Sequence, residues 1–223
     1  LPISRLHGGS ARAWSDHSRT PLGWPRGPEG GPVCGIAGVV RRYGHLSDSE
    51  PALSASLAAM RHRGPDADGR CAWASAAGIS LTMGMTRLSV LDLSAAGLQP
   101  MTTPDGRFTL AYNGEITNFI EVRQLLEAEG AGFSSSGDTE VLLRAWEAWG
   151  PDACHRLEGM YAFAILDRQE STLTLCRDPF GIKPLFVANL DDDGFAFASE
   201  IGGMLPLLGR RPRLDWEIGR AHV

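Results

Sequence analysis

Residues Met160 to Ser199 read MYAFAILDRQESTLTLCRDPFGIKPLFVANLDDDGFAFAS. The runs MYAFAILD, TLTLCRD, PLFVANL and FAFAS follow one another through short turns, and their apolar and aromatic content predicts consecutive antiparallel strands. Upstream, CGIAGVVRR from Cys34 reads as an apolar strand, and Ser47 to His62 offers Leu53, Leu57 and Met60 at helical spacing. RHRGPDADG breaks the chain with Gly64, Pro65 and Gly69, and two short strands, CAWAS and ISLTMGM, come next. Phe108 to Tyr112 is a further strand that ends in the polar turn NGEITN. Two amphipathic helices follow, one carrying Phe119, Val122, Leu125 and Leu126 and stopping at Gly130, the other carrying Val141, Leu142, Ala145, Trp146 and Trp149. These strands are too many for one half-exposed sheet. Their order predicts an α+β fold, a four-layer αββα sandwich in which two antiparallel sheets meet face to face with helices outside.

The chain has 223 residues, room for one sizeable domain and a fragment of a second. Charged residues make up 21% and apolar residues 43%, and no apolar run reaches the roughly 18 residues a membrane span needs. The net charge of −5 argues against nucleic acid, whose partners show a basic face. Cys34, Cys71, Cys154 and Cys176 form no CxxC pair and are too few for a disulfide framework, so a reducing, cytoplasmic setting fits and a metal site is not expected.

The two ends differ from the middle. Residues 1–33 are dense in Gly, Pro, Arg and Ser and carry +2, against −7 for residues 34–223. With no periodic apolar face and no signal-type apolar core, they are expected to be a disordered leader, either a propeptide or mistranslated upstream sequence. Val33 stands where a GUG start codon would place an initiating residue. The last six residues, IGRAHV at 218–223, match one reading frame of a common sequencing adapter, so natural sequence is expected to end near Glu217. The expected domain is therefore 34–205, with 206–223 the start of a linker.

A lone cysteine on an apolar strand is usually inert packing. Cys34 differs by its place. If residues 1–33 are removed or never made, its own α-amino group, of pKa roughly 7.7 to 8.0, is a base beside its thiol. Nucleophile and base then reside in one residue, with no histidine needed.

CGIAG, RHRGPDADG, TRLSVLDLSAAGLQPM, YNGEITN, SGDTEV, GMYAFAILD and CRDPFGIKPL, in that order over residues 34–200, resemble the successive signatures of the class II glutamine amidotransferase domain of glutamine-hydrolysing asparagine synthetase. The resemblance implies an N-terminal-nucleophile hydrolase, whose fold is the αββα sandwich. It also implies roles. Cys34 matches the nucleophile, and Asn113 and Gly114 match the oxyanion hole. Arg87 matches the arginine that grips the glutamine α-carboxylate, a task suited to its planar fork. Leu88, Ser89, Val90 and Leu91 match the segment that lines the glutamine pocket. Glu115 and Asp138 match the carboxylates that recognise the α-amino group, although Asp138 alone would read as a helix N-cap and Asn-Gly alone as a turn. Within RHRGPD, His62 is expected to order a loop, and Arg177, Asp178, Gly181 and Lys183 to build a turn. Cys71, Cys154 and Cys176 read as core or near-surface thiols.

Three departures stand out: Thr117 where the family usually has Tyr, Phe186 in place of a frequent Tyr, and Met85-Thr86 before Arg87. None removes a catalytic group, but they leave open an acceptor other than aspartate. The resemblance implies hydrolysis of L-glutamine without a cofactor in this domain, and transfer of ammonia through a tunnel to a C-terminal synthetase domain in cis that uses Mg-ATP. No SGGxDS-type loop occurs in the chain. A homodimer is left open, and a non-catalytic glutamine-binding module is the alternative if Cys34 is not N-terminal.

Overall fold

The computed structural model describes residues 34–88, 97–191 and 194–210. In chain order the elements are β1 (Gly35–Arg42), α1 (Leu46–Ala59), β2 (Ala67–Ala74), β3 (Ile79–Arg87), β4 (Met101–Thr102) and β5 (Phe108–Ile116). Then come α2 (Phe119–Ala128), α3 (Asp138–Trp149), a 3-10 turn at Gly150–His155, β6 (Gly159–Asp167), β7 (Thr172–Arg177), β8 (Phe186–Asn189), β9 (Phe195–Ala198) and α4 (Ile201–Leu207).

The strands form two antiparallel sheets, β2-β3-β1-β9-β8 and β4-β5-β6-β7. Because successive side chains on a strand point to opposite faces, each strand feeds two apolar layers. On β6, Tyr161, Phe163 and Ile165 face α2 and α3, and Trp146 meets Phe163 edge-on at 5.7 Å. The opposite face of β6 carries Ala164 and Leu166, and there it packs on Ile36, Met83, Met85 and Phe197 of the other sheet. That sheet in turn presents Ala37, Val39, Ala196 and Ala198 to Leu53 and Leu57 of α1 and Met204 and Leu207 of α4. The four layers expected from the sequence are thus present, each boundary closed by its own apolar cluster.

Three local readings change. The strand from Phe108 does not end at Tyr112. It continues through Asn113, Gly114 and Glu115 to Ile116, because β6 pairs with it residue by residue, Asn113 with Ala162 and Gly114 with Tyr161. Cross-strand pairing overrides the turn preference of Asn-Gly. Similarly β2 begins at Ala67, inside the stretch read as a break, since Ala67 to Ala74 pair along β3. The four runs between 160 and 198 are not one meander either: β6 and β7 stay in one sheet, while β8 and β9 cross to the other and β9 pairs with β1. Helix α4 had no counterpart in the reading.

Candidate active site

Strand parity places the candidate residues before any distance is considered. Leu81, Met83 and Met85 of β3, Ile36 of β1 and Ala111 of β5 all lie in the layer between the sheets. By the same alternation Cys34, Arg87, Asn113 and Glu115 belong to that layer. The pairing of Gly35 with Thr86 sets Cys34 beside Arg87 and Leu88.

Cys34 sits at the mouth of β1, half-buried. The Leu88 N–H donates to its Sγ at 3.4 Å, and Sγ lies 3.6 Å from the Leu88 carbonyl oxygen. Arg63 Nε donates to the Cys34 carbonyl oxygen at 3.2 Å, and Arg63 Nη1 lies 3.5 Å from Glu200. The Ile36 N–H donates to Ser199 Oγ and the Ser199 N–H to the Ile36 carbonyl, each at 2.9 Å, so the start of β1 is fixed from β9. Burial pushes the Cys34 thiol above its ordinary value, while the Leu88 N–H and the Arg87 and Lys183 cations pull it down and Asp138 adds to the rise. Burial thus favours the neutral thiol over the thiolate.

Asn113 is 1% exposed, and its side-chain Nδ2 is buried with no hydrogen-bond partner among the described residues. Leaving such a donor unpaired costs about 1 to 3 kcal/mol, so its place needs a reason. Gly114 next to it has no room for a side chain: a Cβ would lie 2.5 Å from the Met160 carbonyl oxygen and 2.7 Å from the Tyr112 ring.

Asp138 opens α3 and is 5% exposed. Its Oδ2 accepts the Tyr112 hydroxyl at 2.7 Å and the Ile116 N–H at 3.1 Å. Burial nevertheless raises its pKa; those two bonds oppose the rise, and Glu115 reinforces it. Gln99 ties the same corner together, its Oε1 accepting the Tyr112 N–H at 2.7 Å and its Nε2 donating to Thr139 Oγ1 at 3.2 Å.

Among the residues singled out from sequence, Cys34, Arg87, Leu88, Asn113, Gly114 and Asp138 converge on this end of the sandwich. Arg87 is buried and Glu115 is exposed on the rim. Ser89, Val90 and Leu91 lie outside the described residues. His62 is largely exposed and meets Ala59 O at 3.1 Å and Glu200 at 3.2 Å, away from the thiol's own contacts. Two participants were not foreseen. Arg63 holds the Cys34 carbonyl, and the Lys183 cation lies near enough to lower the thiol pKa a little, although its backbone belongs to the turn that Asp178 organises. The one signal for Lys183 was its being the only lysine in the chain.

The sequence model of the family described as the glutamine amidotransferase domain matches residues 33–219. The glutamine-hydrolyzing asparagine synthetase 1 of Bacillus subtilis strain 168 is 37% identical over 170 residues, covering 75% of this chain and 26% of that protein. The glutamine-hydrolyzing asparagine synthetase 3 of the same organism is 33% identical over 185 residues, covering 82% of this chain and 29% of that protein. The chain thus spans less than a third of either relative. The solved structure of glutamine phosphoribosylpyrophosphate amidotransferase from B. subtilis, complexed with ADP and GMP, has a TM-score of 0.62 at 22% identity over 79% of this chain and 44% of that one. That likeness shows the same fold.

Proposed function

The chain belongs to the glutamine amidotransferase domain family, and on that premise we propose that the domain at residues 34–205 hydrolyses the side-chain amide of L-glutamine with Cys34 as nucleophile. The observation that carries this is the buried, unpartnered Nδ2 of Asn113 in the layer that also holds the Cys34 sulfur. An oxygen that becomes negative there gives that donor its missing acceptor.

In this reading Sγ attacks the amide carbon while its proton passes, through a water, to the α-amine of Cys34. The tetrahedral oxyanion is held by Asn113 Nδ2 and the Gly114 N–H, each such donor being worth roughly 10²- to 10³-fold in rate. Collapse breaks the C–N bond, and the protonated amine returns its proton to the departing ammonia. Water then attacks the γ-glutamyl thioester, the same amine taking its proton and passing it to the sulfur as the C–S bond breaks, to give glutamate and the free thiol. The elevated thiol pKa fits a base that works at the moment of attack. Arg87 meets the α-carboxylate, Asp138 with Glu115 the α-ammonium, and the Leu88 backbone lines the pocket. No step calls on a cofactor.

The ammonia would serve a C-terminal synthetase region in the same polypeptide, which amidates aspartate with Mg-ATP in the cytoplasm. Thr117, in place of the tyrosine usual at that position, keeps a different carboxylate acceptor as the second reading. The chemistry requires a free amine on Cys34. Mass spectrometry of the mature N-terminus together with ammonia release from glutamine tests this: a protein beginning at Cys34 should be active and its Cys34→Ala variant should lose hydrolysis by at least about 10⁴-fold. Full activity with Val33 still attached would overturn the assignment of the base.

A further inference from the structure

Tyr112 stands next to the proposed oxyanion donors but faces the other way. Alternation along β5 sends Asn113 into the layer between the sheets and Tyr112 into the helix-side core, in the cluster that also holds Val122, Leu142 and its cross-strand partner Phe163. A hydroxyl carried into a core needs a partner. This one finds the Asp138 carboxylate at 2.7 Å, 26 positions along the chain.

The corner is tied twice. Through its side chain Tyr112 reaches Asp138, and through its main-chain N–H it reaches Gln99, whose amide goes on to Thr139. Both ties end on the first two residues of α3. The Ile116 N–H fills the same oxygen, Oδ2, from one end of β5 as Tyr112 does from four residues earlier. Oδ1 is the oxygen that these two donors leave to other partners. Burial and the neighbouring Asp138 hold the Tyr112 hydroxyl well above its ordinary pKa, so it remains a donor wherever the protein is folded.

We propose that Tyr112 is a positioning residue for substrate selection: by donating to Asp138 Oδ2 it fixes the carboxylate that reads the α-ammonium group at a set distance from the Asn113–Gly114 donors on the same strand. The inference rests on the assignment of Asp138 to the ammonium in the preceding section. It predicts that the hydroxyl matters for an amide that carries an α-ammonium group and hardly at all for one that lacks it.

The test compares the affinities of L-glutamine and its desamino analogue, 4-carbamoylbutanoate, measured by calorimetry on the full-length protein with Cys34→Ala to prevent turnover. Tyr112→Phe keeps the ring and removes the hydroxyl. Glutamine affinity should fall about tenfold, a typical loss for one hydrogen bond to a charged group, while analogue affinity changes by less than about twofold. Added to Asp138→Asn, the same change should cost nothing further for glutamine, because its effect passes through the carboxylate. An unchanged preference for glutamine in Tyr112→Phe, or equal weakening of both ligands, overturns the proposal. If Asp138→Asn itself leaves that preference intact, the ammonium assignment fails instead, so the two failures are distinguishable.

Discussion

Asp138 and Asp178 are both buried, 5% and 3% exposed, yet their carboxylates are provisioned in opposite ways. Asp178 accepts four backbone N–H groups, from Tyr161, Phe180, Ile182 and Lys183, at 3.0 to 3.3 Å. Burial alone would raise its pKa, but those bonds carry it below the usual carboxylate range. Asp138 has the Tyr112 hydroxyl, the Ile116 N–H and its own backbone N–H, and burial still wins, leaving it above that range. A carboxylate saturated by its own backbone has nothing left to offer a ligand. One with fewer donors among the described residues keeps capacity for a cation, which is the difference that the proposed ammonium-binding role of Asp138 would exploit.

The largest effect that would break this contrast is on stability. Asp178→Ala leaves four N–H groups without their acceptor and should lower unfolding free energy by about 4 kcal/mol in denaturant titrations, with activity falling only as the fold does. A loss under 1 kcal/mol would show that the turn is satisfied without it. Next in size, Asp138→Asn should weaken glutamine binding by about 100-fold while leaving the melting temperature unchanged or slightly raised, since it removes a buried charge. Unaltered binding would return Asp138 to the role of a plain helix start.

The smallest effect sharpens the comparison through pH. Because the folded pKa of Asp178 is depressed, its contribution to stability is present above the unfolded value near 4 and is lost as pH falls through the lower folded one. Asp138 is raised, so on acidification it protonates before Asp178 does. Glutamine affinity should therefore decline by up to about tenfold per pH unit, beginning above pH 4, where protonation of Asp138 leaves the melting temperature unchanged or slightly raised. Binding and melting that fail together on acidification would contradict the two assignments.

The layers were legible in the sequence because alternation on CGIAGVV, MYAFAILD and FAFAS records which face meets which neighbour, and that record is local. What was not legible depends on partners far along the chain. Asn113 and Gly114 were read as a turn, since nothing in NGEITN announces that β6 will pair with it. The split of the last four strands between sheets was hidden for the same reason: FAFAS reads alike whether its neighbour is β7 or β1. Cys34, Arg87, Asn113 and Asp138 were found through motif resemblance, and the structure brings them to one end of the sandwich. The bond from Tyr112 to Asp138 had no signal, because a tyrosine in an apolar run looks like packing. Arg63 was hidden by belonging to a motif that explained itself as a break.

β1 takes β9 as a neighbour, Ala37 opposite Ala198, with Ser199 locked to Ile36. The four strands of the other sheet, by contrast, pair in chain order and can zip as they emerge during synthesis. The strand that leads from the sulfur must wait, one edge bare, until some 160 further residues have been made. An unfinished chain therefore carries the thiol but not its rigid mount, and this end of the domain closes long after its first strand has been made.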